Sequence, residues 1–465
     1  MREPSILSSR MDALLFVLAG CSFSALLGAT VGSLTGLMPG LHPNSLASFF
    51  AAFPQLLGLF FFLSAPFASV PYSAQILFGG FLIGVLVSHS MTEMIPTSAM
   101  GIADGDSISV LLPVQRLLSM GRADLIAKCV ILGSAGAVLI FTLSFYPVRL
   151  AMGDPGGLYS LIEPYLGAML LAICAAVLLS ESAFGRIMRA SVLFVLSGVI
   201  GVFVLTLDAP SQINHALFGA RWAGDASIYF LPAFSGFFAL PSLLLSRKDS
   251  AVDARRAPIV VPRFSRSGAL LQSVLPMMLV GWIPGITNSY ATRLSRKDSD
   301  QPSRSLSSIC SYVVTYSATN IGGSLQSIIA LATILRARNG ILESVKGSIP
   351  YDALLWADPG TMPVAFISLA WSSVISAFLG AVLFKTMCRR MLGRPNMKWF
   401  KGLRAPIILF ILLLSAVTSG PIGLMILFTC FLLALLAIRM RTSRVHLMGF
   451  LLVPVIVYFM MVRGA

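Results

Sequence analysis

A pattern written twice constrains this chain more than any other feature. Residues 36–47 read Gly-Leu-Met-Pro-Gly-Leu-His-Pro-Asn-Ser-Leu-Ala, and residues 281–291 read Gly-Trp-Ile-Pro-Gly-Ile-Thr-Asn-Ser-Tyr-Ala. One deletion aligns Gly36, Pro39, Gly40, Asn44, Ser45 and Ala47 with Gly281, Pro284, Gly285, Asn288, Ser289 and Ala291. Each copy closes an apolar run. Pro-Gly stops a helix there, because proline lacks an N–H donor and glycine permits positive φ. Two interrupted hydrophobic segments at matching places in two halves point to a binding site between the halves.

The surroundings of these breaks are a membrane. Apolar residues make up 57% of the chain and charged residues 11%, and the mean hydropathy is +0.87, a composition foreign to soluble domains. A spanning helix needs roughly 20 apolar residues. Full spans are expected at 125–146, 161–180, 190–207, 228–245, 361–384, 421–438 and 446–462, with shorter or broken runs at 13–38, 55–70, 73–95, 268–284, 305–335 and 405–419. The predicted fold is an all-α polytopic transmembrane bundle of about 10–14 spans. Arg2 and Arg10 precede the first run without a small-residue cleavage site, which reads as a retained first helix. The six cysteines are scattered and suit apolar packing, so neither a disulfide framework nor a metal site is expected.

The net charge of +15 reads as the Lys and Arg excess of cytoplasmic loops beside anionic lipid, not as a nucleic-acid surface. Segment 246–267 carries six basic residues against two Asp, and loop 385–404 carries seven basic residues and no acid. Both are expected in the cytoplasm, together with the clusters at 116–124, 181–189 and 439–444, in a multi-pass protein of the cell membrane. The basic linker 246–267 divides the chain into an N-terminal repeat, 1–245, and a C-terminal repeat, 268–465. Ser107-Ile108, Leu111 and Arg116 match Ser327-Ile328, Leu331 and Arg336 in spacing, and Ser90-x-Thr92 pairs loosely with Ser317-x-Thr319. Arg116 falls on the inner side and Arg336 near the outer one, which predicts that the repeats are inverted.

Lipid offers no partners to bare backbone, so non-helical chain at depth must be buried in protein or line a wet cavity. After each Pro-Gly a helix is expected to restart near Asn44 or Asn288, both good caps, its positive end favouring an anion. His42, Asn44, Ser45, Thr287, Asn288 and Ser289 add side-chain donors. The alternative for these polar residues is to satisfy a simple kink. A second broken region, 89–109, holds Ser90, Thr92 and Glu93 before Asp104 and Asp106. An ionisable group at membrane depth is a functional candidate by default, so Glu93, Asp104 and Asp106 are candidates for a coupling Na⁺ or H⁺. Asp104-Gly105-Asp106 reads equally as an interfacial turn. Thr319 and Asn320 occupy the matching stretch of the second half, beside Gly322-Gly323, which suits a hinge or close helix packing. Arg116 and Arg336 are candidate anion contacts, with interfacial anchoring as the competing role, favoured for Arg338 and Arg122.

Three stretches resemble the archaeal branch of the TctA family, the large membrane subunit of tripartite tricarboxylate transporters. They are G-L-M-P-G-L-H-P-N-S, the run from Pro96 to Ala123, and S-A-T-N at 317–320; the C-terminal S-R-V-H-L-M-G-F-L-L-V-P is similar as well. The resemblance implies about a dozen spans in two inverted repeats and cation-coupled uptake of carboxylates. It marks Pro39, Gly40, Pro284 and Gly285 as substrate loops. The bacterial pattern P-G-L-G is replaced here by His42, Asn44 and Asn288, and a requirement for the accessory subunits does not carry over to the archaeal branch.

The expected function is therefore a permease for an anionic solute, a carboxylate, driven by Na⁺ or H⁺. The alternative is a translocase for a lipid-linked phosphate such as a polyprenyl phosphate. An enzyme with Asp104 and Asp106 on Mg²⁺ lacks a third ligand in the sequence, and no cofactor or nucleic-acid partner is expected. Membrane lipids and a further copy of the chain complete the expected partners.

Overall fold

The computed structural model describes residues 6–38, 46, 55–67, 70–101, 107–181, 183–206, 229–245, 265–283, 285–295, 305–358, 360–392 and 402–461. Pro39, Gly40, His42, Asn44, Ser45, Asp104, Asp106, Pro284 and most of linker 246–267 lie outside them. The described residues form an all-α polytopic bundle. Eight helices are long and apolar enough to cross a membrane: Val17–Thr35, Ser73–Met100, Ala123–Met152, Leu158–Leu179, Phe184–Val204, Val364–Met391, Arg404–Arg439 and Arg444–Met461.

In chain order we label α1 (Ile6–Thr35), α2 (Gln55–Leu63), α3 (Ser73–Thr92), α4 (Met94–Met100), α5 (Leu111–Ser119), α6 (Ala123–Met152), α7 (Leu158–Leu179) and α8 (Phe184–Thr206). There follow α9 (Phe230–Leu245), α10 (Arg266–Trp282), α11 (Asn288–Ser295), α12 (Leu306–Ile334), α13 (Gly340–Ser348), α14 (Val364–Met391), α15 (Arg404–Arg439) and α16 (Gly449–Met461).

Helix α12 shows why a polar helix survives in this bundle. It runs for 29 residues and carries Thr315, Thr319, Asn320, Gln326 and Ser327, yet nearly every residue from Ile309 to Thr333 is buried. Such a helix is stable in a membrane only when other helices, not lipid, surround it. Its hydroxyls return protons to their own backbone: Thr319 Oγ1 donates to Thr315 O at 2.9 Å and Ser327 Oγ to Gly323 O at 2.7 Å. Helix α3 is its counterpart, buried along almost its whole length.

Residue pairs fix the helix directions. α1 and α3 run parallel, with Gly28 against Phe81 and Gly84, Gly32 against Val85 and Ser88, and Gly36 against His89 and Thr92. Added Cβ atoms there would stand 2.1, 2.4 and 2.2 Å from the nearest α3 atom, so the contact requires glycine. α10 and α12 are also parallel: Thr315 Oγ1 donates to Ala269 O at 3.0 Å, and Val280 and Gly281 lie on Gly323 and Gln326. Gly322-Gly323 thus serves close packing, against Met277 and Val280. α6 follows α12, from Gly133 against Ser317 to Gly153 against Thr333, while α14 follows α3, from Leu369 against Gly79 to Gly380 against Ser88 and Met91. The two sets are antiparallel, since Cys388 at the end of α14 lies on Ala123 at the start of α6, and Phe145 meets Phe366 at 6.0 Å.

The packing is reciprocal. α6, from the first half, packs on α12, and α14, from the second, packs on α3 and α1. Likewise α8 packs on α16 and α15 on α9. The Arg149 side chain, 2% exposed, fastens the end of α6 by donating from Nη2 to Trp356 O at 2.6 Å and Ala357 O at 2.7 Å. Gly420, at φ 62° and ψ −162°, leaves helical geometry inside α15, between the apolar runs 405–419 and 421–438.

One sequence correspondence does not describe equivalent structure. Ser107–Arg116 covers a turn and α5, whereas Ser327–Ile334 is uninterrupted α12. In the packing, Thr92 faces Gly36 and Gln326 faces Gly281.

Candidate functional site

Around Gly285, in the second Pro-Gly motif, the chain turns from α10 into α11 and forms the tip of a hairpin. α10 ends at Trp282, Ile283 is extended, and Gly285 takes φ +85°, a conformation that side chains rarely adopt. The chain restarts as α11 at Asn288. Its cap is not Asn288, as expected from sequence, but Thr287, whose Oγ1 accepts from Tyr290 N–H at 3.3 Å. That leaves the Asn288 side chain for another task.

Asn288 Nδ2 donates to Asn320 Oδ1 at 2.8 Å, and both residues are 5% exposed. Asn320 is the middle residue of the 29 in α12, about 21 Å from either end at about 1.5 Å per residue. The start of α11 therefore lies level with the middle of α12. Asn320 Nδ2 donates in turn to Ser90 O at 3.2 Å and Glu93 Oε1 at 3.1 Å, across to the first half. Ser289 Oγ accepts from Ser109 N–H at 3.1 Å, which draws the turn 107–110 to the same tip.

Glu93, at φ −58° and ψ −21°, carries the helix on from α3 into α4, and Gly101 at φ +71° ends it. The region 89–109 is thus interrupted, as its sequence predicts. Beside it, between α3, α6 and α12, a crevice lined by Ser90, Ser134, Tyr316, Ser317 and Asn320 is too narrow for a water molecule. The halves meet here through polar groups in close contact.

Other candidates lie apart from this cluster. Thr92 Oγ1 donates to Ser88 O at 2.9 Å and faces α1, and Thr319 is bonded within α12. Arg336 is committed elsewhere: Nη2 pairs with Glu163 Oε1 at 3.0 Å, Nη1 donates to Tyr159 Oη, and the guanidinium lies 5.3 Å from the Phe459 ring. Arg116 occupies the last turn of α5. Arg338, which sequence suggested as an interfacial anchor, instead donates from Nη2 to Ile286 O in the hairpin tip.

A second polar cluster holds the other end of α11. Glu181 Oε1 accepts from Arg293 Nη2 at 3.3 Å and meets His446 Nε2 at 3.0 Å, with side chains 10%, 11% and 0% exposed. The His446 hydrogen bond, reinforced by Arg293, holds the Glu181 carboxyl below the usual carboxylate range. Glu181 ties the hairpin to the α7–α8 corner and to the segment before α16. A sequence signal existed, because Glu181 is the sole acidic residue between Glu163 and Asp208.

The sequence profile of the "Tripartite tricarboxylate transporter TctA family" matches residues 23–449, which include both Pro-Gly motifs and Glu93. The chain belongs to the TctA family. Family membership makes it a membrane component of a transporter of the tricarboxylate class. An uncharacterised protein of Methanocaldococcus jannaschii is 22% identical over 442 residues, covering 94% of this chain and 98% of its own length. No solved structure matches.

Proposed function

We propose that this TctA-family protein is a secondary transporter that moves a carboxylate through the tip of the α10–α11 hairpin, driven by H⁺ or Na⁺. The contact of Asn288 with Asn320 at the middle of α12, and through it with Glu93, carries this reading. An anion at the tip would meet amide donors and the positive end of α11. The parallel pairs α1–α3 and α10–α12, opposed in direction and braced by each other's α14 and α6, support two inverted repeats, 1–245 and 268–465, around this site. Alternating access would rock one repeat on the other. The end of the bundle that holds Arg122, Arg189, Arg266 and Arg389 would face the cytoplasm.

Pro39, Gly40, His42, Asn44 and Ser45 are proposed to form the corresponding tip of the first half. The test is ligand-dependent thermal stability of the purified protein against citrate, malate, succinate, glutamate and a short polyprenyl phosphate. Stabilisation by a carboxylate, lost in Asn288→Ala, is the expected result. Stabilisation by the lipid phosphate alone would replace the carboxylate with a lipid-linked substrate.

A further inference from the structure

We infer that Asn320 and Asn288 form a hydrogen-bond relay that reports the protonation of Glu93 to the hairpin tip, so that Glu93 takes the coupling proton and Asn320 is a positioning residue. The inference rests on the anion-transport reading and adds the identity of the coupling ion.

An ionised carboxylate offers only acceptors. With Glu93 ionised, Asn320 must present Nδ2 to it, at 3.1 Å, and therefore presents Oδ1 to Asn288 Nδ2, at 2.8 Å. The Asn288 Oδ1 is then turned towards Gly323. Protonation from water at one face adds an O–H donor to Glu93 and changes no other bond. A half-turn of an amide exchanges oxygen and nitrogen with little change of shape. Asn320 Oδ1 then accepts from the Glu93 O–H, Asn320 Nδ2 donates to Asn288 Oδ1, and Asn288 Nδ2 moves to where its oxygen had been. Ser90 O loses Asn320 as a donor in that arrangement. This loss favours the first arrangement whenever Glu93 is ionised, which makes the relay two-state.

The loss of a negative charge close to the tip favours an anion there, while the turned Asn288 amide changes the group it presents to α12 at Gly323. By reciprocity, a bound carboxylate raises the proton affinity of Glu93 by the same factor. One proton per anion corresponds to about a tenfold loss of affinity per pH unit above the Glu93 pKa. The ionisable groups on the packed elements include His89 on α3, whose Nδ1 is bonded to Thr35 Oγ1 at 3.1 Å, Tyr312 and Tyr316 on α12, Tyr290 on α11 and Arg116 on α5. Arg293 on α11 is held by Glu181, and α1, α6 and α14 carry charged residues only near their ends.

The relay is tested without a substrate, by infrared difference spectroscopy of the full-length protein during acidification. Wild type is expected to gain the carbonyl band of a protonated carboxyl and, with the same midpoint, a shift in the side-chain amide bands. Glu93→Gln, nearly isosteric, should lose both. Asn288→Ala should keep the carboxyl band and lose part of the amide shift. A carboxyl band without an amide shift, an amide shift that survives in Glu93→Gln, or no titration at all would overturn the relay. Equilibrium binding of succinate, citrate and malate separates the two readings: a protein that shows the relay but binds none of them contradicts carboxylate transport. Carboxylate binding that does not change with pH contradicts the relay alone.

Discussion

Glu181→Gln removes the charge that joins α11 to the α7–α8 corner and to the segment before α16. In wild type, one carboxylate oxygen serves both Arg293 at 3.3 Å and His446 at 3.0 Å, and these side chains are at most 11% exposed. Removing one member of a buried ion pair costs about 3–5 kcal/mol, because the partner charge is left buried. Glutamine keeps an acceptor oxygen, so the loss should fall at the low end, about 3 kcal/mol, or about 3 °C in Tm for a chain of this length. The assay is thermal unfolding in detergent of the single variants Glu181→Gln and Arg293→Gln and of the double variant. A coupling of about 1–3 kcal/mol is expected between the two changes. The pH dependence has a definite sign. The folded pKa of Glu181 lies below its ordinary value of 4.5, so the unfolded chain binds its proton first. The stabilisation is then complete above the ordinary value and is lost as pH falls through the folded pKa. Strict additivity of the two substitutions, or a wild-type advantage that grows on acidification, would refute the tether.

Asn320→Ala should weaken carboxylate binding about tenfold, since it removes the amide that joins Asn288 to Glu93, a loss of about 1–3 kcal/mol; equilibrium binding checks this. Gly32→Ala should lower thermal stability by about 1–3 kcal/mol, because its Cβ meets Ser88 Oγ and Val85 O at 2.4 Å. Arg336→Gln breaks a pair whose side chains are 26% and 27% exposed. It should change stability by about 1 kcal/mol or less and leave carboxylate affinity unaltered. A large loss of affinity would return Arg336 to the substrate path.

Much of this architecture was legible in the sequence because lipid is an exacting solvent. The apolar runs gave the helices, and Pro284-Gly285 gave the break, which Gly285 makes at φ +85°. Polar residues in α12 pointed to buried contacts for the same reason. What escaped depends on packing direction. Arg336 and Arg338 stand two residues apart, yet one reaches Glu163 and the other Ile286, a difference set by the chain leaving α12 with Leu335 at φ +52°. The Glu181–Arg293–His446 cluster joins residues more than a hundred positions apart, so no local spacing announces it. The cap at α11 was assigned to Asn288 because asparagine caps well; Thr287 takes that role, since Asn288 has a buried amide to meet. The spacing match between Ser107–Arg116 and Ser327–Arg336 misled because equal spacing says nothing about continuity of the helix.

The most direct test is carboxylate uptake into proteoliposomes under an imposed proton or sodium gradient, with wild type beside Asn288→Ala and Glu93→Gln. The expected result is concentrative uptake of a carboxylate by wild type under the proton gradient, lost in Asn288→Ala. Glu93→Gln should still exchange the solute across the membrane without accumulating it. Uptake by wild type that Asn288→Ala leaves intact would contradict a substrate site at the hairpin tip, and accumulation by Glu93→Gln would contradict coupling through Glu93.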